Sequence, residues 1–141
     1  METKKIAAIV SDTRASINRF LLQELHRHGI NGLAPSHGAI LFHLFNNEQV
    51  TMKDLAQAVR RDKSTVTALV AKLVSGGYVQ KVSSTKDQRT VYVSLTEEGK
   101  ALKPAFEEIS QRMLARIWQG VDEAEQREAV RILKKIRANF P

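Results

Sequence analysis

Residues 60–96 read RRDKSTVTALVAKLVSGGYVQKVSSTKDQRTVYVSLT, and this stretch decides the fold of the chain. Apolar residues recur at helical spacing over about 63–75, and two glycines follow, which favour a helix end because glycine accepts the left-handed conformation. Two segments with strand character come next, 78–82 and 90–95, and apolar and polar residues alternate in the second. The residues between these segments are polar and charged. The stretch therefore predicts one helix followed by a β-hairpin with a basic tip.

Six helices are predicted in all, four before the hairpin and two after it. Besides 63–75, they are 4–28, 35–46, 52–59, 97–119 and a last helix from about 123 to 138. Side chains that can accept hydrogen bonds from a helix N-terminus precede four of the six: Thr51, Asp62, Thr96 and Asp122. Pro104 lies inside helix 97–119, so a bend is expected near 100–104. The short helix 52–59 and its brief link to helix 63–75 are typical of a helix-turn-helix unit.

Most of the net charge lies in the middle third of the chain. The formal net charge is +7 and the pI is near 9.9, which suggests a polyanionic partner. Residues 51–96 hold eight basic and three acidic residues, a charge of +5, whereas residues 1–50 and 97–141 carry +1 each. The sequence has no cysteine, which excludes disulfides, thiolate metal ligands and cysteine nucleophiles.

The sequence shows neither a signal peptide nor a membrane span. The apolar run near the N-terminus, within METKKIAAIVSDTR, is too short for a signal peptide. No apolar stretch reaches the roughly 20 residues that cross a bilayer. We therefore expect a soluble cytoplasmic protein with no membrane partner.

Helix 63–75 has the composition of a helix that reads DNA. Its apolar residues define one buried face, which leaves six residues largely outward: Lys63, Ser64, Thr65, Thr67, Ala68 and Lys72. Small residues let a helix backbone approach the base edges in the major groove, where hydroxyls can bond and methyl groups can touch a thymine methyl. The lysines suit phosphates, and the helix N-terminus is expected to add positive potential. The alternative is an ordinary solvated face with Ser and Thr near a cap.

The hairpin tip, which contains Lys86, Asp87 and Arg89, is expected to reach the DNA backbone or the minor groove. Arg89 is the candidate for insertion into the minor groove, because arginine favours the negative potential of a narrow groove. Asp87 has the wrong sign for DNA, so its expected role is to orient Arg89 or a neighbouring basic residue by an ion pair. The alternative is a solvated hairpin with a weak surface ion pair.

The central residues also form a pattern of motifs. They are Asp54-Leu55-Ala56, Asp62, Ser64–Thr67, Gly77, Val79, Asp87, Arg89, Val93, Leu95, Thr96 and Gly99. This pattern resembles the signature of the MarR family, the multiple antibiotic resistance regulators. The resemblance implies a homodimeric regulator, by family default a repressor, whose winged helix-turn-helix units bind a pseudo-palindromic operator in double-stranded DNA. Helix 63–75 would be the recognition helix and 79–95 the wing. Ala68 stands where the family often has arginine, so the operator sequence of relatives cannot be transferred.

The resulting fold class is mainly α with a small β-hairpin wing. We expect a single domain over 1–141, in which a winged helix-turn-helix region at 35–96 lies between dimerisation helices at 1–30 and 97–141. Apolar stripes at both ends of so small a chain fit this arrangement, since a second copy would bury them. Such a dimer would set two recognition helices about 34 Å apart, one turn of DNA. The alternative is that the stripes only complete a monomeric core.

The family resemblance further implies a sensor. Members often bind small anionic or phenolic ligands between the dimerisation helices and the DNA-reading unit, and ligand binding would release the operator. Arg14, His37 and Trp118 are the ligand-binding candidates here, for charge, hydrogen bonding and stacking. His37 follows a helix start, so its alternative role is that of a surface or capping residue.

The sequence gives less support to other functions. The four histidines, at positions 26, 28, 37 and 43, are poorly spaced for one shared face, so neither a metal site nor a cofactor is predicted. A metal-responsive regulator of the same fold, using these histidines with Glu24, is one alternative. A winged helix that binds protein is another, and its binding would lack the steep salt dependence of DNA binding. The sequence has no phosphate-binding loop, metalloprotease helix or nucleophile elbow, so an enzyme is not expected.

Overall fold

A computed structural model describes residues 2–84, 86 and 89–141 of the chain. In this part, a short 3₁₀ helix, Glu2–Lys5, precedes seven α-helices and three β-strands. The helices are α1 (Ile6–Arg27), α2 (Pro35–Phe45), α3 (Met52–Val59), α4 (Lys63–Ser75), α5 (Glu97–Lys100), α6 (Lys103–Ile117) and α7 (Glu123–Arg137). The strands are β1 (Val50–Thr51), β2 (Val79–Ser83) and β3 (Val91–Leu95). The mainly α fold with a hairpin wing is confirmed. Within the same part of the chain, no helix combines the length and apolarity needed to span a membrane.

The predicted helix 97–119 is two helices in the structure, α5 and α6, separated at residues 101–102. Pro104 lies in the first turn of α6. A proline at this position cannot donate a hydrogen bond to the carbonyl of residue 100, and its ring crowds that carbonyl. The bend expected near 100–104 is therefore a complete break in the helix.

One strand in the structure, β1, was not predicted from the sequence. It pairs with β3 in antiparallel register, Val50 opposite Val93 and Thr51 opposite Tyr92, and the described strands form one sheet in the order β1-β3-β2. Two residues are too few to show an alternating pattern, so only the distant partner strand makes this segment recognisable as β. The pairing has a consequence for function, because it brings the start of α3 next to the wing.

The chain divides into two compact units, the first ending at Ile109 and the second beginning at Ser110. The first unit contains the core, to which the early helices and the sheet all contribute. Its largest fully buried side chains are Ile40, Leu41, Leu55, Leu73, Val66, Val70 and Val93. From α4, Val66, Val70 and Leu73 are buried as predicted, whereas Leu69 is half-buried and packs against this core.

Close backbone contacts attach the wing to the end of α4. Gly77 has a φ of +84°, which completes the helix C-terminus and turns the chain into β2. At the other end of the hairpin, the Thr96 amide donates to the Tyr78 carbonyl at 3.0 Å, and the Thr96 hydroxyl donates to the Gly77 carbonyl at 2.6 Å. A Cβ on Gly99 would lie 2.0 Å from the Tyr78 oxygen, so only glycine fits there. These contacts fix where the wing leaves the helix.

The second unit contains α7, which begins at the predicted cap Asp122. The Asp122 carboxylate accepts from the Glu125 amide at 2.9 Å, and the Glu125 carboxylate accepts from the Asp122 amide at 3.1 Å. This reciprocal pair is a capping box. No residue of α7, all of which is described, is buried, and its apolar side chains Val130, Leu133 and Ile136 are exposed.

Candidate nucleic-acid interface

The recognition helix α4 begins at Asp62, as predicted. One carboxylate oxygen of Asp62 accepts from the Thr65 amide at 2.7 Å and from the Ser64 hydroxyl at 2.8 Å. These hydrogen bonds, together with the charge of Arg61, lower the pKa of Asp62 to about 2. A full negative charge therefore sits at the helix N-terminus at neutral pH. The expectation that this N-terminus adds positive potential is corrected accordingly, since Asp62 offsets the partial charge of the amides.

Arginines in the turn before α4 supply the positive charge instead. Arg60 ends α3 with φ 57° and ψ 44° and is the one non-glycine residue with positive φ in the described ranges. Arg60, Arg61 and Lys63 are sequence neighbours of the Asp62 cap, and the left-handed conformation of Arg60 keeps the connection between α3 and α4 short. The Arg61 guanidinium donates to the Ser36 hydroxyl at 3.5 Å, which ties the turn to the first turn of α2.

The outward face of α4 is small and polar, as the sequence predicts. Five of the six predicted DNA-contacting residues of the helix are exposed: Lys63, Ser64, Thr67, Ala68 and Lys72. Thr65 is half-buried, and its side chain also bonds to Asp62, so it offers less surface than expected. The Thr67 hydroxyl donates back to the Lys63 carbonyl at 2.8 Å, which leaves its methyl group and oxygen lone pairs for a ligand.

Ala71 belongs to the same face but was not singled out from the sequence. It is exposed and follows Ser64 by two helical turns, so it extends the strip of small side chains. The seven-residue spacing from Ser64 is the signal that could have identified it. The strip therefore runs along much of the helix, which lets the backbone approach a surface closely over its length.

The wing carries Lys86 and Arg89 beyond the paired strands. Next to the paired strands, the Ser84 amide donates a hydrogen bond to the Thr90 carbonyl at 2.9 Å. Lys86 and Arg89 are both exposed, and the Lys86 amide donates to the Ser84 hydroxyl at 3.2 Å. Asp87 lies outside the described residues, so its expected ion pair stays a prediction.

A hollow beside the wing brings three cationic residues together. It is an open depression of about 700 Å³ whose lining includes Lys53 at the start of α3, Lys63 at the start of α4, and Arg89. The sequence predicted Lys63 and Arg89 as contacts but not Lys53. Only the pairing of β1 with β3 shows that α3 starts beside the wing, so local patterns could not have identified Lys53.

The lining of this hollow suits a polyanion. Its charged side chains are all basic, while Met52, Ala56 and Val91 provide apolar surface below them. Cations that line a concave surface of low polarity reinforce one another's potential, because the field is less screened there than on a flat surface. A phosphate group in the hollow would meet three positive charges supplied by three separate elements.

Of the three ligand-binding candidates, Arg14 and His37 belong to the first unit and Trp118 to the second. Arg14 is exposed on α1, and Trp118 is half-buried in the second unit. His37 is buried, and its Nδ1 accepts from the Ala34 amide at 2.8 Å, which caps α2. Burial, followed by the charge of Lys72, lowers the pKa of His37, so the ring is neutral at physiological pH. Its alternative role as a capping residue is confirmed.

Two other histidines bond to neighbouring residues. His26 Nδ1 lies 3.0 Å from Asn31 Oδ1. His28 Nδ1 lies 2.9 Å from the Glu24 carbonyl oxygen, and its Nε2 lies 3.2 Å from a Glu108 carboxylate oxygen. In residues 2–84, 86 and 89–141, no three His, Asp or Glu side chains are grouped to hold a metal ion.

Comparison with known proteins agrees with this geometry. Residues 33–99 match a family model described as a winged helix DNA-binding domain. Over 101 residues the chain is 35% identical to the HTH-type transcriptional regulator SarZ of Staphylococcus aureus. This match covers 72% of the chain but only 64% of SarZ, less than two thirds of that relative's length.

Solved structures share the fold over nearly the whole chain. A mutant MarR from E. coli complexed with operator DNA superimposes with a TM-score of 0.85, 20% identity and 96% coverage of both chains. BpsR of Bordetella bronchiseptica, whose DNA binding is regulated by 6-hydroxynicotinic acid, gives a TM-score of 0.84 with 18% identity, over 96% of this chain and 95% of that one. At such identities the similarity establishes a common fold.

Proposed function

We propose that the chain is a member of the MarR family of winged-helix proteins and that it is a homodimeric transcriptional regulator, which binds a pseudo-palindromic operator in double-stranded DNA. The similarity to SarZ, itself a transcriptional regulator, supports the regulatory role. The solved complex of E. coli MarR with operator DNA supports the choice of partner.

The observation that carries the proposal is the position of Lys53, Lys63 and Arg89 around one hollow beside the small, polar face of α4. A helix face built from Ser64, Thr67, Ala68 and Ala71 can approach base edges in the major groove. The three cations lie where the DNA backbone would run between α4 and the wing. The reading face thus supplies sequence selectivity and the hollow supplies affinity, which is the usual division between base and phosphate contacts.

Lys72 and the residues of the wing tip are the remaining proposed DNA contacts. Lys72, exposed toward the C-terminal end of α4, would contact a phosphate as a point charge. Arg89 and Lys86 would follow the backbone beyond the major groove, with Arg89 entering the minor groove. Asp87 would orient the neighbouring basic side chains.

Arg89→Ala is the first test of this assignment. We expect operator affinity to fall by about 1–3 kcal/mol, because a base or minor-groove contact of arginine is lost. The measurement is fluorescence anisotropy with an operator selected from a random DNA pool, compared with a scrambled duplex. If Arg89→Ala changes neither affinity nor specificity, the wing is wrongly assigned.

Lys72→Ala and Lys53→Ala test the phosphate contacts. Each should weaken binding to all sequences about equally and reduce the slope of log affinity against log salt by about one unit, since each removes one neutralised phosphate. Lys135→Ala, on α7, removes the same charge outside the reading unit and is the matched control. An equal loss in Lys135→Ala would mean that net charge, not these positions, governs binding.

We further propose that the protein represses transcription and that a small anionic or phenolic molecule releases it. BpsR, whose DNA binding is regulated by 6-hydroxynicotinic acid, supports this proposal because it has the same fold. The test repeats the operator titration with 6-hydroxynicotinate present, and a reporter gene behind the operator distinguishes repression from activation. Higher reporter output when the protein is present would contradict repression.

A further inference from the structure

The hydroxyl groups on the reading face of α4 donate their hydrogens inside the protein. The Ser64 hydroxyl bonds to the Asp62 carboxylate at 2.8 Å, and the Thr67 hydroxyl bonds to the Lys63 carbonyl at 2.8 Å. Ionised carboxylates and carbonyls only accept hydrogen bonds, so each hydroxyl must be the donor. The lone pairs of the two hydroxyl oxygens stay available. Toward a ligand, Ser64 and Thr67 are therefore hydrogen-bond acceptors.

Asp62 adds a charged acceptor beside these hydroxyls. Its exposed carboxylate accepts from the Ser64 hydroxyl and from the amide and side chain of Thr65. A carboxylate offers about four acceptor sites, so there is room for one further donor. Capping alone does not require the negative charge, because serine and asparagine cap helices about as well as aspartate. The charge is unfavourable next to a polyanion unless the carboxylate also meets a donor on that partner.

The reading face offers no side-chain donor between its two lysines, and every residue of α4 is described. Ala68 and Ala71, which are exposed on this face, carry only methyl groups. Lys63 lines the hollow beside the wing, and Lys72 lies in the last turn of the helix, where both are proposed to contact phosphates. For Ser64 to donate to a base, it would have to break a charge-assisted hydrogen bond, which is stronger than a neutral one. The face is thus limited to accepting.

An acceptor surface in the major groove can pair with only two base groups. These are the N4 amino group of cytosine and the N6 amino group of adenine, since guanine presents the acceptors O6 and N7, and thymine presents the acceptor O4 and a methyl group. In adenine the amino group lies next to N7, whose lone pair repels a carboxylate oxygen, whereas cytosine has a C–H group there. A carboxylate therefore favours cytosine over adenine.

We propose that α4 selects its operator through the amino groups of bases and that Asp62 is the residue that specifies cytosine. Asp62 accepts from the cytosine N4 amino group, and Ser64 and Thr67 accept from amino groups of neighbouring bases. The same carboxylate repels O6 and N7 of a guanine in that position, so the wrong base is rejected as well as the right one bound. This inference rests on the proposed function, because it specifies the base atoms that the proposed DNA reader contacts.

Modified operators test the wild-type protein directly. An operator is selected from a random DNA pool and synthesised with N4-methylcytosine, N6-methyladenine or 7-deazaguanine at one position at a time. The added methyl groups replace the amino hydrogen that faces the major groove and keep base pairing, whereas 7-deazaguanine lacks the N7 acceptor. We expect methylation of a contacted cytosine to lower affinity about tenfold, the effect of losing one base contact. Replacement by 7-deazaguanine at positions under α4 should leave affinity unchanged.

Asp62→Asn separates base specificity from helix capping. Asparagine caps helices about as well as aspartate, so α4 should still form, which circular dichroism can verify. The asparagine amide pairs with N6 and N7 of adenine, so the preferred base at the contacted position should change from cytosine to adenine, with a change in relative affinity of about tenfold. Asp122→Asn is the matched control, because it removes the same charge from the cap of α7. It should keep the preference of the wild type.

Binding that depends on guanine N7 and on no base amino group would overturn the inference, because a donor such as Lys63 would then read the operator. An unchanged cytosine preference in Asp62→Asn would remove Asp62 as its determinant. Both outcomes leave the proposed function standing. If selection returns no sequence that binds more tightly than a scrambled duplex, the proposed function and this inference fail together.

Discussion

At the scale of single residues, Thr96 and Gly99 close the end of the wing against the end of α4. Thr96 donates to the backbone carbonyls of Gly77 and Tyr78 just before β2, and its side chain accepts from the Gly99 amide at 3.1 Å. Gly99 is buried against the Tyr78 carbonyl. The motif of Thr96 and Gly99 therefore closes the hairpin against the helix end, and its conformational role is independent of any contact with DNA.

Gly99→Ala should destabilise the fold by about 1–3 kcal/mol, the usual cost of overpacking, since the added Cβ would overlap a backbone oxygen that cannot move freely. Urea unfolding followed by circular dichroism measures the change. Gly38→Ala is the control, because Gly38 lies inside α2 and its added Cβ would meet Phe106 at an ordinary 3.4 Å. Alanine there should be neutral or stabilising by up to about 1 kcal/mol. Equal losses in both variants would contradict this explanation of Gly99.

At the scale of elements, two histidines near helix ends have pKa values that are shifted in opposite directions. His28, at the end of α1, bonds to the Glu24 carbonyl and the Glu108 carboxylate, and both partners raise its pKa. His37 caps α2, and its burial lowers its pKa. The reference pKa of both rings is 6.5. In the folded protein, His28 therefore titrates above pH 6.5 and His37 titrates below it.

The combined contribution of these two histidines to stability should therefore be greatest near their shared reference pKa of 6.5. His28 has a raised pKa when folded, so its contribution is complete below the unfolded value and is lost as the pH rises through the folded one. His37 has a lowered pKa, so its contribution is present above the unfolded value and is lost as the pH falls. The free energy of unfolding measured from about pH 5 to 8, the range in which histidine titrates, tests this.

Single variants separate the two histidines. His28→Gln should flatten only the alkaline side of the stability profile and His37→Gln only the acidic side. His26→Gln, whose ring contacts Asn31 on the surface, is the control and should preserve the profile. A profile that is flat in the wild type would show that neither network is coupled to folding.

At the scale of the whole molecule, apolar residues remain exposed on the terminal helices. On α1, the exposed set is Ile6, Ile9, Val10 and Leu22; on α7, it is Val130, Ile132, Leu133 and Ile136. Leu133 is 51% exposed, which is unfavourable for a large aliphatic side chain at a helix surface. Burial of these faces against a second copy is the structural argument for the proposed homodimer.

We expect a dimer at micromolar concentration by light scattering, with a thermal midpoint that rises with protein concentration. Leu133→Glu should shift the population toward monomer and weaken operator binding, because a charge would be placed in the buried interface. Lys135→Ala, which changes a basic residue of α7 and none of its exposed apolar side chains, should leave the association state unchanged. A wild-type protein that is monomeric and still binds a pseudo-palindromic operator tightly would contradict the dimer.

The sequence predicted α4, its Asp62 cap, the glycine end and the hairpin, because each depends on residues close together in the chain. Periodicity, capping and turn preferences act over a few residues, so they are visible without a structure. The same patterns gave the outward residues of α4 and the basic tip of the wing.

Other features depended on residues that are far apart in the sequence. The pairing of β1 with β3 places Lys53 beside Lys63 and Arg89, and the packing of Tyr78 on Gly99 requires glycine there. The burial of His37 likewise arises from packing. The sequence by itself determined the reading helix and its wing, since local rules form them. Tertiary structure decided which charges converge, because convergence depends on register and packing that no local pattern encodes.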